Sequence, residues 1–229
     1  MLKEGEIVFN GRSSLDMNLR LTEYPVIPQL NEEYEEVNID GRNGALYINK
    51  GTYLNRQITC NFTIVSNDYN LDFDNIDEWL HDVEDNRFFI DRTDRCFRVV
   101  KIIYGDTQKE FKSLGSFPVT FVFEPFRCDP DETITNELSI NNEGHFTLYP
   151  RIEINSTGDV SIITNGDIFQ IKNTRGKTII DSELMVCVDN NGIALKNYGN
   201  YPELVKGKNV ISTSGKITSI STTYRNLYR

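Results

Sequence analysis

Apolar residues alternate with polar ones along much of this chain, and the clearest case is Ile58, Cys60, Phe62 and Ile64, set between Gln57, Thr59, Asn61 and Thr63. That period of two predicts a strand with one dry face and one wet face. Upstream, Val37 and Ile39 alternate in the same way and run into Gly41-Arg42-Asn43-Gly44. Asn-Gly supplies two residues that tolerate positive φ, so a tight type I′ hairpin is expected there, with a second turn at Asn49-Lys50-Gly51. Holding a sheet together is the plainer role for such a hairpin, and contact with a partner is the other. Ile7-Val8-Phe9 followed by Asn10-Gly11 reads as a short strand and a turn, and Leu15, Met17, Leu19 and Leu21 as a second strand. Tyr24-Pro25-Val26-Ile27-Pro28 must be extended, because each proline fixes its own φ and restricts the residue before it. The acidic run Glu32, Glu33, Glu35 and Glu36 reads as a solvated face or a mobile loop.

Residues 72–83 carry the helix. Ile76, Trp79, Leu80 and Val83 fall on one stripe, Asp72 or Asp74 can cap the start, and Asp77 and Glu78 suit a first turn. Trp79 is expected to anchor a core, its rival role being a stacking platform for carbohydrate. From Arg87 to Tyr104 the chain is rich in β-branched and aromatic residues, and apolar residues in both phases from Val99 to Ile103 predict strands covered on both sides. Ser113–Ser116 reads as a loop, followed by a strand through Phe117, Val119, Phe121 and Phe123. A first domain is expected over 1–128 and a polar connection over 129–147. A second domain, 148–229, is expected to be a sandwich of short strands punctuated by turns at Ser156–Gly158, Asn165-Gly166, Asn173–Gly176, Asp189–Gly192, Gly207 and Ser214-Gly215.

Composition narrows the function. The 229 residues carry a formal charge of −10. Residues 1–128 hold 14 basic and 22 acidic side chains, a net of −8, against 10 and 12, a net of −2, in the remainder. Gripping nucleic acid relies on clustered Lys and Arg, so that function is disfavoured. No apolar run is long enough to span a membrane, and the start lacks a signal peptide's apolar stretch, which predicts a soluble product made in a cytoplasm. Cys60, Cys96, Cys128 and Cys187 are scattered, without zinc-ligand spacing, and read as buried thiols. With His81 and His145 the only histidines, no catalytic triad, P-loop or HExxH can be assembled. No enzyme activity, cofactor or metal is expected.

Taken together and in order, several segments resemble the distal tail protein family of long-tailed phages of Gram-positive hosts. They are Phe9-Asn10-Gly11, Tyr24–Pro28, Gly41–Gly44 with Leu46, Ile76–Leu80, Phe121–Phe126, Tyr149–Ile154, Tyr201–Leu204 and Gly207–Asn209. The resemblance implies a mainly β protein: an N-terminal β-sandwich or split-barrel-like domain with one helix, then a C-terminal galectin-like β-sandwich. It further implies a structural virion protein of the tail tip. Such proteins form a homo-hexameric ring through the first domain, joining the tail tube protein to tail-tip or baseplate proteins, with DNA only as passing cargo. An acidic first domain suits a conduit, since it would repel DNA. Pro25, Pro28, Gly41, Arg42, Asn43 and Gly44 are the residues assigned to the subunit interface. A carbohydrate-binding module recognising host cell wall is the alternative, and a cell-wall hydrolase a distant third. Against the sugar reading, residues 129–229 contain no Trp.

Overall fold

The computed structural model describes residues 2–65, 69–105, 108–111 and 114–229. The protein is mainly β with one α-helix among the described residues, and it divides into two compact units, Met1–Pro130 with Arg229, and Asp131–Tyr228.

In the first unit the strands are β1 (Val8–Phe9), β2 (Arg12–Ser13), β3 (Leu19–Leu21), β4 (Glu32–Val37), β5 (Leu46–Tyr53) and β6 (Arg56–Val65). The helix α1 (Tyr69–His81) follows, and then β7 (Arg87–Phe89), β8 (Phe97–Tyr104), β9 (Gln108–Phe111), β10 (Leu114–Phe123) and β11 (Arg127–Cys128). One antiparallel sheet runs β2-β1-β7-β8-β10-β6-β3, with β9 beside β10, and curls into a half-barrel. The inward phase of β6 and β10, Ile58, Cys60, Phe62 and Ile64 against Phe117, Val119, Phe121 and Phe123, is buried. Trp79 of α1 is fully buried among these rings. It meets Phe9 edge-on at 5.7 Å and Phe62 at 6.4 Å, and its indole N–H donates to the Phe9 carbonyl at 2.6 Å. Large aromatic area with a satisfied N–H is what makes a buried Trp stabilising.

The turn at Asn10-Gly11 is a true two-residue hairpin, since Phe9 pairs with Arg12 and both turn residues have positive φ, 50° and 67°. Asn10 also reaches across the chain to the end of α1. Its side-chain amide donates to the carbonyls of Trp79 and Asp82 at 3.1 and 2.8 Å, and its oxygen accepts from the N–H groups of Glu84 and Asp85 at 2.9 and 3.0 Å. One side chain thus satisfies the Trp79 carbonyl in the helix's last turn, a group that a helix end leaves unpaired, and fastens the chain that follows it.

Several expectations are corrected. The predicted strand from Leu15 to Leu21 is interrupted: Ser14–Met17 is a 3₁₀ turn capped by Ser13, whose hydroxyl accepts from the Leu15 N–H, and only Leu19–Leu21 is extended. The helix starts at Tyr69 and ends at His81. Asp72 and Asp74 therefore lie inside it, Asp77 and Glu78 are past its first turn, and Val83 is outside it and 40% exposed. The backbone clamp by Asn10 stops the helix before the stripe is complete. Of the predicted loop Ser113–Ser116, Ser113 lies outside the described residues and the rest opens β10. Val100 and Ile103 are exposed, at 50% and 42%, so β8 is not covered on both sides. Its register explains the pattern: Val122 pairs with Lys101 but Phe123 with Val99, a bulge at Val100 that switches which phase faces inward.

The second unit holds β12 (Thr133–Thr135), β13 (Ser139–Asn142), β14 (Arg151–Thr164), β15 (Asp167–Asp181), β16 (Val186–Asp189), β17 (Asn197–Tyr198), β18 (Gly207–Tyr224) and β19 (Leu227–Tyr228). The sheet order is β12-β18-β14-β15-β16, with β13 also on β18 and β17 also on β15. Within the stretch expected as a connection, 129–147, β12 and β13 pair with opposite ends of β18. Asn165-Gly166, with φ of 53° and 101°, closes the β14–β15 hairpin where Thr164 meets Asp167.

Asp189–Gly192 also turns the chain, the Gly192 N–H donating to the Asp189 carbonyl at 3.0 Å, whereas three other turn signals differ from expectation. Ser156–Gly158, Asn173–Gly176 and Ser214-Gly215 lie inside long strands, and the register of β14 shifts between Gly158 and Val160 against β15 and between Thr157 and Ser161 against β18. Glycines with φ of 86°, 88° and 97° at 158, 176 and 215 permit bulges and kinks rather than chain reversals. A Cβ at Gly215 would come within 2.5 Å of the Asp159 carbonyl oxygen, so the strands cross this line too closely for a side chain. Bent strands wrap one core that includes Ile152, Ile154, Ile162, Phe169, Ile171 and Ile180.

Candidate functional site

β4 and β5 pair with each other and with no other strand among the described residues. Neither strand contains a buried residue. Tyr34, Tyr47 and Ile48 are 51%, 62% and 46% exposed, and Ile39 beyond β4 is equally open at 46%. A strand backed by a core would bury alternate residues, so this hairpin is an arm with both faces in solvent. A lone two-stranded ribbon is marginal in water at best.

Polar contacts set its base. Lys50 pairs with Glu33 at 2.6 Å, Thr52 donates to the same carboxylate at 3.0 Å, and Tyr34 and Asn49 both donate to Glu32 at 2.7 Å. Lys50 and Thr52 hold the Glu33 carboxyl below its ordinary pKa. The expected turn at Asn49-Lys50-Gly51 is instead a bulge within β5, where Glu32 pairs with Tyr53 but Tyr34 with Asn49. Gly51, at φ 74°, donates to the Asn49 side-chain oxygen at 2.7 Å and takes up the extra chain. Tyr53 packs edge-on against Phe126 at 5.3 Å, tying the arm to its own unit. A cleft of about 470 Å³ opens at this base, lined by Gln29, Leu30, Glu32, Tyr34, Tyr53 and Arg229.

The tip departs from a type I′ turn. Val37 pairs with Leu46, so residues 38–45 form a longer connection. The Arg42 N–H donates to the Ile39 carbonyl at 3.1 Å and Gly41, third in that turn, has φ 80°, which is type II geometry. Gly44 supplies a second positive φ, also 80°, while Asn43 does not. A one-glycine turn followed by a second left-handed glycine cannot close at two residues.

The sequence-assigned interface residues therefore separate. Gly41, Arg42, Asn43 and Gly44 are exposed at the tip, whereas Pro25 is buried and Pro28 half-buried in the extended segment at the base. That segment is fastened to its own sheet. The Thr22 N–H donates to the Asn61 carbonyl at 2.8 Å, Asn61 donates to Glu23 at 3.1 Å, and Tyr24 donates to Asp91 at 2.9 Å. Burial and the Asp91 carboxylate push the Tyr24 phenol up to about 12. Tyr34, Tyr47 and Ile48 are the surface residues that sequence reading missed; consecutive apolar residues at 46–48 were the available signal. Among the described residues, no cluster of three or more His, Cys, Asp or Glu is placed to hold a metal ion, and no helix is long and apolar enough to cross a membrane.

No protein-family model matches this chain, and no curated protein does. Among solved structures it is similar to the crystal structure of the Dit protein (gp 19.1) of phage SPP1, described as a paradigm of the hub adsorption apparatus in phages that infect Gram-positive bacteria. The likeness covers 98% of this chain and 99% of that one, with a TM-score of 0.60 and 15% sequence identity. The chain has the Dit fold. The order of motifs from Phe9-Asn10-Gly11 to Gly207–Asn209 thus pointed to the right architecture. The Dit fold is shared over its whole length, so neither unit is an addition to it.

Proposed function

We propose that this chain is a structural protein of a phage tail tip. Its copies assemble into a six-membered ring that joins the tail tube protein to tail-tip or baseplate proteins. The observation that carries the reading is the likeness to SPP1 Dit across nearly the full length of both chains. In this reading residues 1–128 form the ring, and 148–229 form the outward-facing, galectin-like sandwich. DNA passes as cargo through a wall whose first half carries a formal net of −8, and no catalysis is assigned.

The arm supports self-association. A ribbon that fully buries none of its apolar side chains gains most by lying on another surface, and a second copy presents the same complementary surface to every neighbour. Gly41–Gly44 at the tip and Tyr47 and Ile48 along β5 make that contact, with Pro28 at the rim. A head-to-tail contact repeated by rotation closes into a ring when the angle allows. Like charge opposes assembly, so association strengthens with salt, where the screening length falls to about 8 Å near physiological ionic strength.

The test is mass in solution over a range of protein and salt concentrations, with negative-stain class averages. Rings are expected from the natural chain. Tyr47→Ser combined with Ile48→Ser should yield a folded monomer, because neither side chain touches the core. A chain that stays monomeric throughout, with no rings in purified tails, removes the reading. Tyr149 and Tyr198 are about half exposed, at 48% and 47%, and offer faces on which a sugar ring could stack. Saturable binding of host wall saccharide by such a monomer would promote the carbohydrate-binding reading.

A further inference from the structure

The first unit contains a pair of thiols placed for bonding to one another. Cys96 and Cys128 are directly opposite each other in an antiparallel bridge, where each N–H donates to the other's carbonyl at 2.9 Å. A hydrogen-bonded antiparallel pair has its Cα atoms about 5.5 Å apart, within the span a disulfide bridges. Their sulfurs approach to 3.8 Å, and the two residues are only 1% and 2% exposed. Rotation about the side-chain bonds, with the backbone fixed by its two hydrogen bonds, brings sulfur to bonding distance. Cys60 and Cys187 make the contrast. Cys60 lies opposite Val119 and Cys187 opposite Ile180 in their strand pairs, so neither has a second thiol across from it.

We propose that Cys96 and Cys128 form a reversible oxidative modification site, closed to an intramolecular disulfide by a low-molecular-weight disulfide such as oxidised glutathione. One thiolate attacks a glutathione sulfur, forming a mixed disulfide and releasing one glutathione thiolate. The second thiolate attacks the protein sulfur of that mixed disulfide and expels the other glutathione. Two cysteine thiols and one glutathione disulfide become one protein disulfide and two glutathione thiols. Burial makes the first step depend on local opening, and the juxtaposition makes the second step fast. The bond would tie the chain entering β8 to the chain leaving β10, two neighbouring strands in the middle of the half-barrel. A protein made under reducing conditions and later exposed to oxidising ones would acquire this tie after folding. The inference rests on the thiol geometry and holds whether or not the chain forms rings.

The experiment incubates the full chain in graded ratios of oxidised to reduced glutathione, then denatures, alkylates and weighs it. The expected result is loss of the mass of two hydrogens, two of the four thiols labelled, and one linked peptide joining Cys96 to Cys128, all reversed by reduced glutathione. Cys96→Ser and Cys128→Ser should each abolish the loss. Four labelled thiols at every ratio, a glutathione adduct that accumulates without closing, or a link through Cys60, Cys187 or a second chain would overturn the assignment. If a serine variant does not fold, the peptide map of the natural chain decides alone.

Discussion

Replacing Asn10 separates two reasons for its presence. Its side chain makes four hydrogen bonds to backbone groups around the end of α1, and its backbone sits at φ 50° ahead of Gly11. Each such bond contributes about 0.5–1.5 kcal/mol net, and the exposed ones fall at the low end. Asn10→Ala should therefore cost the first unit about 2–3 kcal/mol from lost bonds, and about 1 kcal/mol more because alanine resists the left-handed region. Asn10→Gly loses the same bonds but not the backbone ease, so it should be about 1 kcal/mol less destabilised than Asn10→Ala. Trp79 is the single Trp of the chain and lies beside this clamp, so its fluorescence reports the first unit alone. In urea, with a slope of about 1.5 kcal/mol per molar, the Asn10→Ala midpoint should fall by about 2 M. Equal midpoints for the Ala and Gly variants would show that the backbone contributes nothing, and a loss below about 0.5 kcal/mol for both would refute the clamp itself.

Trp79→Ala should cost the first unit about 3–5 kcal/mol, the usual range for deleting a large buried aromatic, and acrylamide should quench the native Trp79 emission poorly; ready quenching would contradict its burial. Toward alkaline pH the first unit should weaken. Tyr24 and Cys60 are both raised to about 12 from ordinary values of 10.0 and 9.0, so their contribution is intact below about pH 9 and is lost as pH rises toward 12. Toward acid the sign reverses: hydrogen bonds from Arg87 and Arg92 hold Asp85 and Asp94 below 3.8, Asp94 at about 2, so what they contribute is present above that value and fades as pH falls through 3.8 toward 2. Urea midpoints across pH 2–12 check both arms, and a flat profile above pH 9 would contradict the first.

How much of this was legible depends on what each signal physically encodes. Period-two burial on β6 was readable because one face of that strand meets a core and the other meets water. Asn-Gly marked hairpins at Asn10-Gly11 and Asn165-Gly166, where the flanking residues pair at once, but failed at Asn43-Gly44, where Gly41 had already turned the chain. Glycines at 158, 176 and 215 announced positive φ correctly, and φ alone does not distinguish a bulge from a turn. The two-phase apolar run at Val99–Ile103 was the footprint of a bulge and not of a doubly covered strand. The arm was half legible. Glu32–Glu36 was rightly read as solvated, but glutamates disfavour strands, and nothing local shows that β4 is held by β5 alone.

The four Asn-Gly steps also differ in how they will age. An asparagine amide is lost when the next backbone nitrogen attacks the side-chain carbonyl, and glycine, having no side chain, puts up the least resistance. At Asn10 the amide is engaged by two carbonyls, at Asn165 it donates to Asn209 at 2.7 Å while its oxygen accepts from the Val210 N–H at 3.0 Å, and at the exposed Asn191 the attacking Gly192 N–H is tied to the Asp189 carbonyl at 3.0 Å. Asn43 stands in solvent at the arm's tip. Stored protein should therefore deamidate first at Asn43, which peptide mass spectrometry of fresh and old stocks would reveal. Each event adds a negative charge, and the isoaspartyl product lengthens the backbone by one methylene. The exposed tip of the arm is thus also the molecule's chemical clock.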